Sequence, residues 1–161
     1  MKQIGQQSAD WLRAFRVYLS VIMIGNLTWE TIQLPLYTIW STGTWREQTF
    51  AVVHCTLGDL LIALSVLVLA LLLIGRASWP NERFWAVALL ATILGVAYTG
   101  FSEWLNVVVR ASWSYSEYMP VVWLFGFDVG LSPLLQWVVV PAAAFKITRA
   151  VTIQNVSGGV P

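Results

Sequence analysis

Residues 50–75 read FAVVHCTLGDLLIALSVLVLALLLIG, and from residue 60 to residue 74 the run holds one hydroxyl and no charge. A helix rises 1.5 Å per residue, so about 20 such residues cross a hydrocarbon core of roughly 30 Å. This stretch therefore reads as a transmembrane helix. Working outward from it, two more apolar runs of comparable length cover residues 17–40 and 84–109, and a shorter one with two prolines covers residues 131–147. Four such spans leave little of the 161 residues for anything else. The expected fold is an all-α integral membrane four-helix bundle, a single domain over residues 1–149. A flexible cytoplasmic tail is expected at 150–161, and a long aromatic outer loop between the third and fourth helices.

Composition agrees. Hydrophobic residues make up 58% of the chain and charged residues 11%, where soluble domains carry about 25% charge. A net charge of +1 gives no basic surface for nucleic acid. The first span is interrupted by Asn26, Trp29, Glu30 and Gln33 and is followed by no small-residue cleavage site, so it reads as a retained helix and not as a signal peptide. The single cysteine, Cys55, allows neither an internal disulfide nor a CxxC motif, and within a helix it reads as a packing residue.

The basic residues set the orientation. Lys2, Arg13, Arg16, Arg76, Arg83, Lys146 and Arg149 fall on one side of the four spans, against Arg46 and Arg110 on the other. By the positive-inside rule both termini are cytoplasmic, in an inner (plasma) membrane crossed several times.

With that topology, depth can be counted along each helix. Glu30 lies about 15 Å and Gln33 about 10 Å below the outer boundary, His54 about 6 Å, Asp59 about 14 Å, Glu103 about 9 Å and Asn106 about 5 Å. Gln136 is similarly shallow. All the polar groups of the spans thus gather in the outer half, while the inner half is apolar. Ionisable groups at such depths are costly and mark functional sites.

Spacing refines the picture. Asn26, Glu30 and Gln33 stand at i, i+4 and i+7, one stripe of the first helix. Glu103, Asn106 and Arg110 stand at i, i+3 and i+7 and form a stripe on the third. His54 and Asp59 are five residues apart, about 140° around the axis, and cannot share a face. Pro35 is expected to bend the first helix, and Ser132-Pro133 to cap and start the fourth. Three carboxyl groups face few cations, so either some hold protons, with Arg110 pairing Glu103 or Asp59, or a cation is bound.

The ligand-binding set read from these patterns is Asn26, Glu30, Gln33, Asp59, Glu103, Asn106, Arg110 and Gln136. Glu30, His54, Asp59 and Glu103 form a candidate metal set whose oxygen and nitrogen donors suit a divalent transition metal. The leading functional expectation is a membrane protein whose outer pocket binds a small ligand or cation. One alternative is an accessory subunit of a larger membrane complex or homo-oligomer, docking through the loop ASWSYSEYMPVVWLFGFDVG. Another is an intramembrane acid–base or metal-dependent enzyme acting on a lipid-soluble substrate. No nucleophile motif, HExxH or phosphate-cradling glycine loop is present to assign a reaction.

Overall fold

The computed structural model describes residues 2–124 and 126–157. The chain is mostly helical: α1 (Lys2–Gln33), a short α2 (Ile39–Thr42), α3 (Trp45–Ile74), α4 (Phe84–Glu103) and α5 (Leu131–Ser157), with strands β1 (Val121–Leu124) and β2 (Phe127–Gly130) between α4 and α5. The four long helices pack side by side, α1 and α4 each lying against both α3 and α5. Three segments are long and apolar enough to cross a membrane: Trp45–Ile74, Phe84–Val109 and Leu131–Thr152.

Local chemistry explains the boundaries. Thr44 accepts from the Glu47 backbone N–H while Glu47 reaches back to the Thr44 N–H, a capping box that starts α3 five residues before the expected position. Pro35 ends α1 rather than bending it. A ring without an N–H disfavours the α conformation before it, so the chain passes at Gln33 into a single 3-10 turn, Leu34–Leu36.

At its other end α1 begins at Lys2, well before residue 17. Trp11 donates to the Ala77 carbonyl at 3.0 Å, and the rings of Trp11 and Phe15 meet the buried Trp79 at 4.9 and 5.7 Å. That packing against the loop after α3 holds residues which no bilayer length would require to be helical. Arg149 closes the same end, donating to the Pro80 carbonyl at 3.0 Å and lying 5.4 Å from the centre of the Phe84 ring. α5 continues through Ser157, so the expected tail starts as helix; residues 158–161 lie outside the described residues.

The all-α expectation needs a correction. The aromatic loop contains an antiparallel hairpin in which Val121 pairs with Gly130 and Leu124 with Phe127. The turn includes Gly126 at φ +92°, a conformation that favours glycine.

The core changes character along its length. On α1, Ala14, Tyr18 and Ile22 are buried at four-residue steps, and the same stripe continues as buried Asn26 and Gln33. α5 mirrors it, with Phe145, Ala144 and Val140 giving way to Gln136 and Ser132. The half of the core near the hairpin is rich in amide and carboxyl groups, and the opposite half is apolar apart from the Thr148 and Thr152 hydroxyls and the Trp79 indole N–H.

Candidate functional site: a carboxyl–amide layer

Gln136 of α5 is the hub of the polar half and only 2% exposed. Its Nε2 donates to Asn26 Oδ1 at 2.9 Å, Glu30 Oε1 at 3.0 Å and Asp59 Oδ2 at 2.9 Å. Its Oε1 accepts from Gln33 Nε2 at 3.2 Å, and Gln33 also donates to Glu30 Oε1 at 2.8 Å. Ser132 Oγ donates to Gln33 Oε1 at 2.8 Å and accepts from the Trp29 indole at 3.1 Å. The Trp137 indole is a further hydrogen-bonding neighbour of Asp59. One layer thus ties together α1, α3 and α5.

Two donor hydrogens on the Gln136 amide face three acceptor oxygens. The Glu30 and Asp59 oxygens share that one nitrogen, so they lie within about 6 Å of each other, where like charges penalise ionising both. A proton held between the two carboxyl groups would supply the missing hydrogen and remove one charge.

Glu103 enters from α4 and is buried, at 5% exposure. It accepts from the Tyr115 hydroxyl, which itself accepts from the Gly130 N–H at 2.9 Å. Tyr115 is thereby a strut between α4 and the start of α5. Burial raises the Tyr115 phenol above its ordinary value, and the hydrogen bond to Glu103 and its charge push the same way. Burial also raises Tyr37, followed by the charges of Glu103 and Glu30. Both phenols stay protonated, and Tyr115 donates to Glu103. The loop that carries Tyr115 is fastened over the end of α1: Ser116 donates through Oγ to the Pro35 carbonyl and through N–H to the Leu36 carbonyl, both at 2.9 Å. Thr38 N–H donates to the Ser114 carbonyl at 3.0 Å.

Of the eight residues read as a ligand set, Asn26, Glu30, Gln33, Asp59 and Gln136 meet in one network, and Glu103 is buried with Tyr115. Asn106 and Arg110 do not join them. After Glu103 the helix widens into a π turn, Trp104–Val109, whose hydrogen bonds span five residues. Spacings of three and seven no longer return to one face, so Asn106 donates back to the Ser102 carbonyl at 2.9 Å. Arg110 is exposed, and the single ion pair among the described residues joins Arg76 to Glu82 at 3.5 Å.

The metal set is likewise not assembled: among the described residues no three of His, Cys, Asp and Glu group to hold an ion. His54 sits on the exposed side of α3 and stacks on Phe50 at 5.5 Å, as its angular separation from Asp59 requires.

Sequence reasoning missed Tyr37, Tyr115 and the place of Ser132 in the network. Cys55 is half-buried within electrostatic range of Glu30, Asp59 and Glu103. Ser132 lies one residue inside α5 and serves the network instead of capping the helix.

No family model, curated protein or solved structure matches this chain.

Proposed function

We propose that this protein is a one-domain, four-span integral protein of an inner (plasma) membrane, with both termini cytoplasmic. In this reading it binds a small ligand at the carboxyl–amide layer in the outer half of the bilayer. The observation that carries the reading is the gathering of half-buried Glu30 and Asp59 and buried Glu103 from three helices, engaged by amide, indole and phenol groups and, among the described residues, by no basic side chain. Such a layer is expensive in hydrocarbon and is far richer than helix packing requires. Its neutral donors and shared proton suit reversible hydrogen bonding to a ligand.

Support for α1 as the fourth span comes from its outward face. Met23, Ile24, Leu27 and Ile32 are exposed there while Asn26 and Gln33 point inward. An apolar exterior over a polar interior suits lipid and not water.

Two results are expected. In a Cys55→Ser background, an impermeant maleimide added to intact cells labels Glu117→Cys in the hairpin-end loop and leaves Asn81→Cys unlabelled; the reverse pattern would refute the orientation. Native mass spectrometry of protein released from nanodiscs shows one small-molecule adduct per chain, and the adduct disappears in Asp59→Asn. A bare wild-type mass would sink the ligand reading.

A further inference from the structure

A groove of about 590 Å³ runs between α1 and α5 on the outward face of the helices, within the size range of ligand pockets. Its walls are apolar, with Val21, Ile32 and Val139 prominent, except at one end, where Gln33 and Ser132 reach it from the carboxyl–amide layer. At its floor the two helices touch: a Cβ on Gly25 would stand 2.7 Å from Val140 Cγ1. The groove therefore runs over a helix–helix contact, continues past it to Val21 and Ala143, and lies open along the outward-facing surface.

Hydrogen-bond accounting at the polar end decides what fits. Both amide hydrogens of Gln33 are committed, to Glu30 and Gln136. The Ser132 hydroxyl hydrogen goes to Gln33, the Trp29 N–H goes to Ser132, and Thr28 on the rim donates to the Ile24 carbonyl. No side-chain donor is left over in the lining. What remains is acceptor capacity: a second lone pair on Gln33 Oε1 and one on Ser132 Oγ. No charged side chain lines the groove, so an ionic headgroup would be desolvated without a counter-charge.

We infer that the groove admits, sideways from the bilayer, an uncharged single-chain amphiphile whose head donates a hydrogen bond, a long-chain alcohol, to the Gln33–Ser132 end of the layer. This rests on reading that layer as a ligand site, and it assigns the ligand's class and route. The loop that carries Tyr115 is tied over the end of α1, and the hydrogen bonds that cross from α1 to α5 in the lining, Trp29 to Ser132 and Ser132 to Gln33, lie at the polar end of the groove.

Photolabelling in nanodiscs tests it. The probes are a hexadecanol with a diazirine in its chain and the methyl ether of the same molecule, which keeps the shape and loses the donor. The alcohol is expected to label residues 21–36 and 132–143, saturably against plain hexadecanol, and the ether roughly tenfold less, as for one lost hydrogen bond. Ser132→Ala should bring the alcohol down toward the ether. Because that change also touches the network, Thr28→Phe serves as a second variant: it fills the groove from the lipid side and should abolish labelling without altering the melting temperature.

Equal labelling by alcohol and ether would mean that the groove merely holds a lipid chain, and would overturn the inference. So would labelling that Thr28→Phe leaves unchanged. Should the Asp59-dependent adduct persist in Thr28→Phe, the groove assignment falls while the layer remains a ligand site. Absence of that adduct from the wild type would bring down the broader reading as well.

Discussion

Replacing Gln136 by leucine is expected to lower the stability of the protein in detergent micelles by about 2–4 kcal/mol, although leucine is close to glutamine in volume. The amide donates to Asn26, Glu30 and Asp59 and accepts from Gln33. Interhelical hydrogen bonds within membranes average only about 0.6 kcal/mol each, because separated helices find other partners. Four of them set the lower bound of that range. The upper bound comes from the acceptors left behind, since a buried group without a partner costs about 1–3 kcal/mol.

Gln136→Glu separates the two contributions. It keeps the shape and the acceptor but removes the amide hydrogens and adds a fourth carboxyl group, so its loss should at least equal that of leucine. Reversible unfolding in mixed micelles reads both variants. A leucine variant within 0.5 kcal/mol of wild type would show that the network contributes packing alone.

Gly95→Ala is expected to be nearly as damaging through one methyl group. A Cβ there would meet Trp137 Cε3 at 2.3 Å and Cζ3 at 2.6 Å, far inside van der Waals contact. The indole has little room to retreat, being 3% exposed and engaged with Asp59. Overpacking of this kind costs about 1–3 kcal/mol, and the ring must swing off Asp59 as well. The indole N–H resonance of Trp137 should therefore move along with the melting temperature. Gly100→Ala, one and a half turns further along α4, is the control. Nothing lies within 4 Å of its Cβ, so alanine there should be neutral or stabilising by up to about 1 kcal/mol. Equal effects at the two positions would remove the close approach of α4 to Trp137 as the cause.

Much of this layer was legible in the sequence because helical spacing is rigid. Asn26, Glu30 and Gln33 share a face at i, i+4 and i+7 whatever else the chain does, and His54 and Asp59 must diverge. The same rule failed for Asn106 and Arg110, because a π turn changes the number of residues per turn and nothing in WLNVVV announces it. Tyr115 was hidden among rings that an interfacial belt accounts for equally well; its role depends on a loop folding back 12 residues to reach Glu103. The hairpin had a visible signal, Gly126 between two apolar runs, which the aromatic content of the loop masked. The early start of α1 depends on Trp79, whose burial no local pattern encodes.

The change in the shared core from apolar at one end to hydrogen-bonded at the other has a bearing on how this fold is specified. Smooth aliphatic surfaces surrounded by lipid slide and rotate against one another with little penalty, since acyl chains and leucines are equivalent neighbours. An amide that must meet three oxygens from two other helices accepts one rotational setting. Gln136 works as a key: it selects the angle at which α5 faces α1 and α3, and the apolar half follows. Substitutions among the aliphatic residues facing away from the core should thus be freely exchangeable, whereas the identity of the fold resides in a handful of polar atoms.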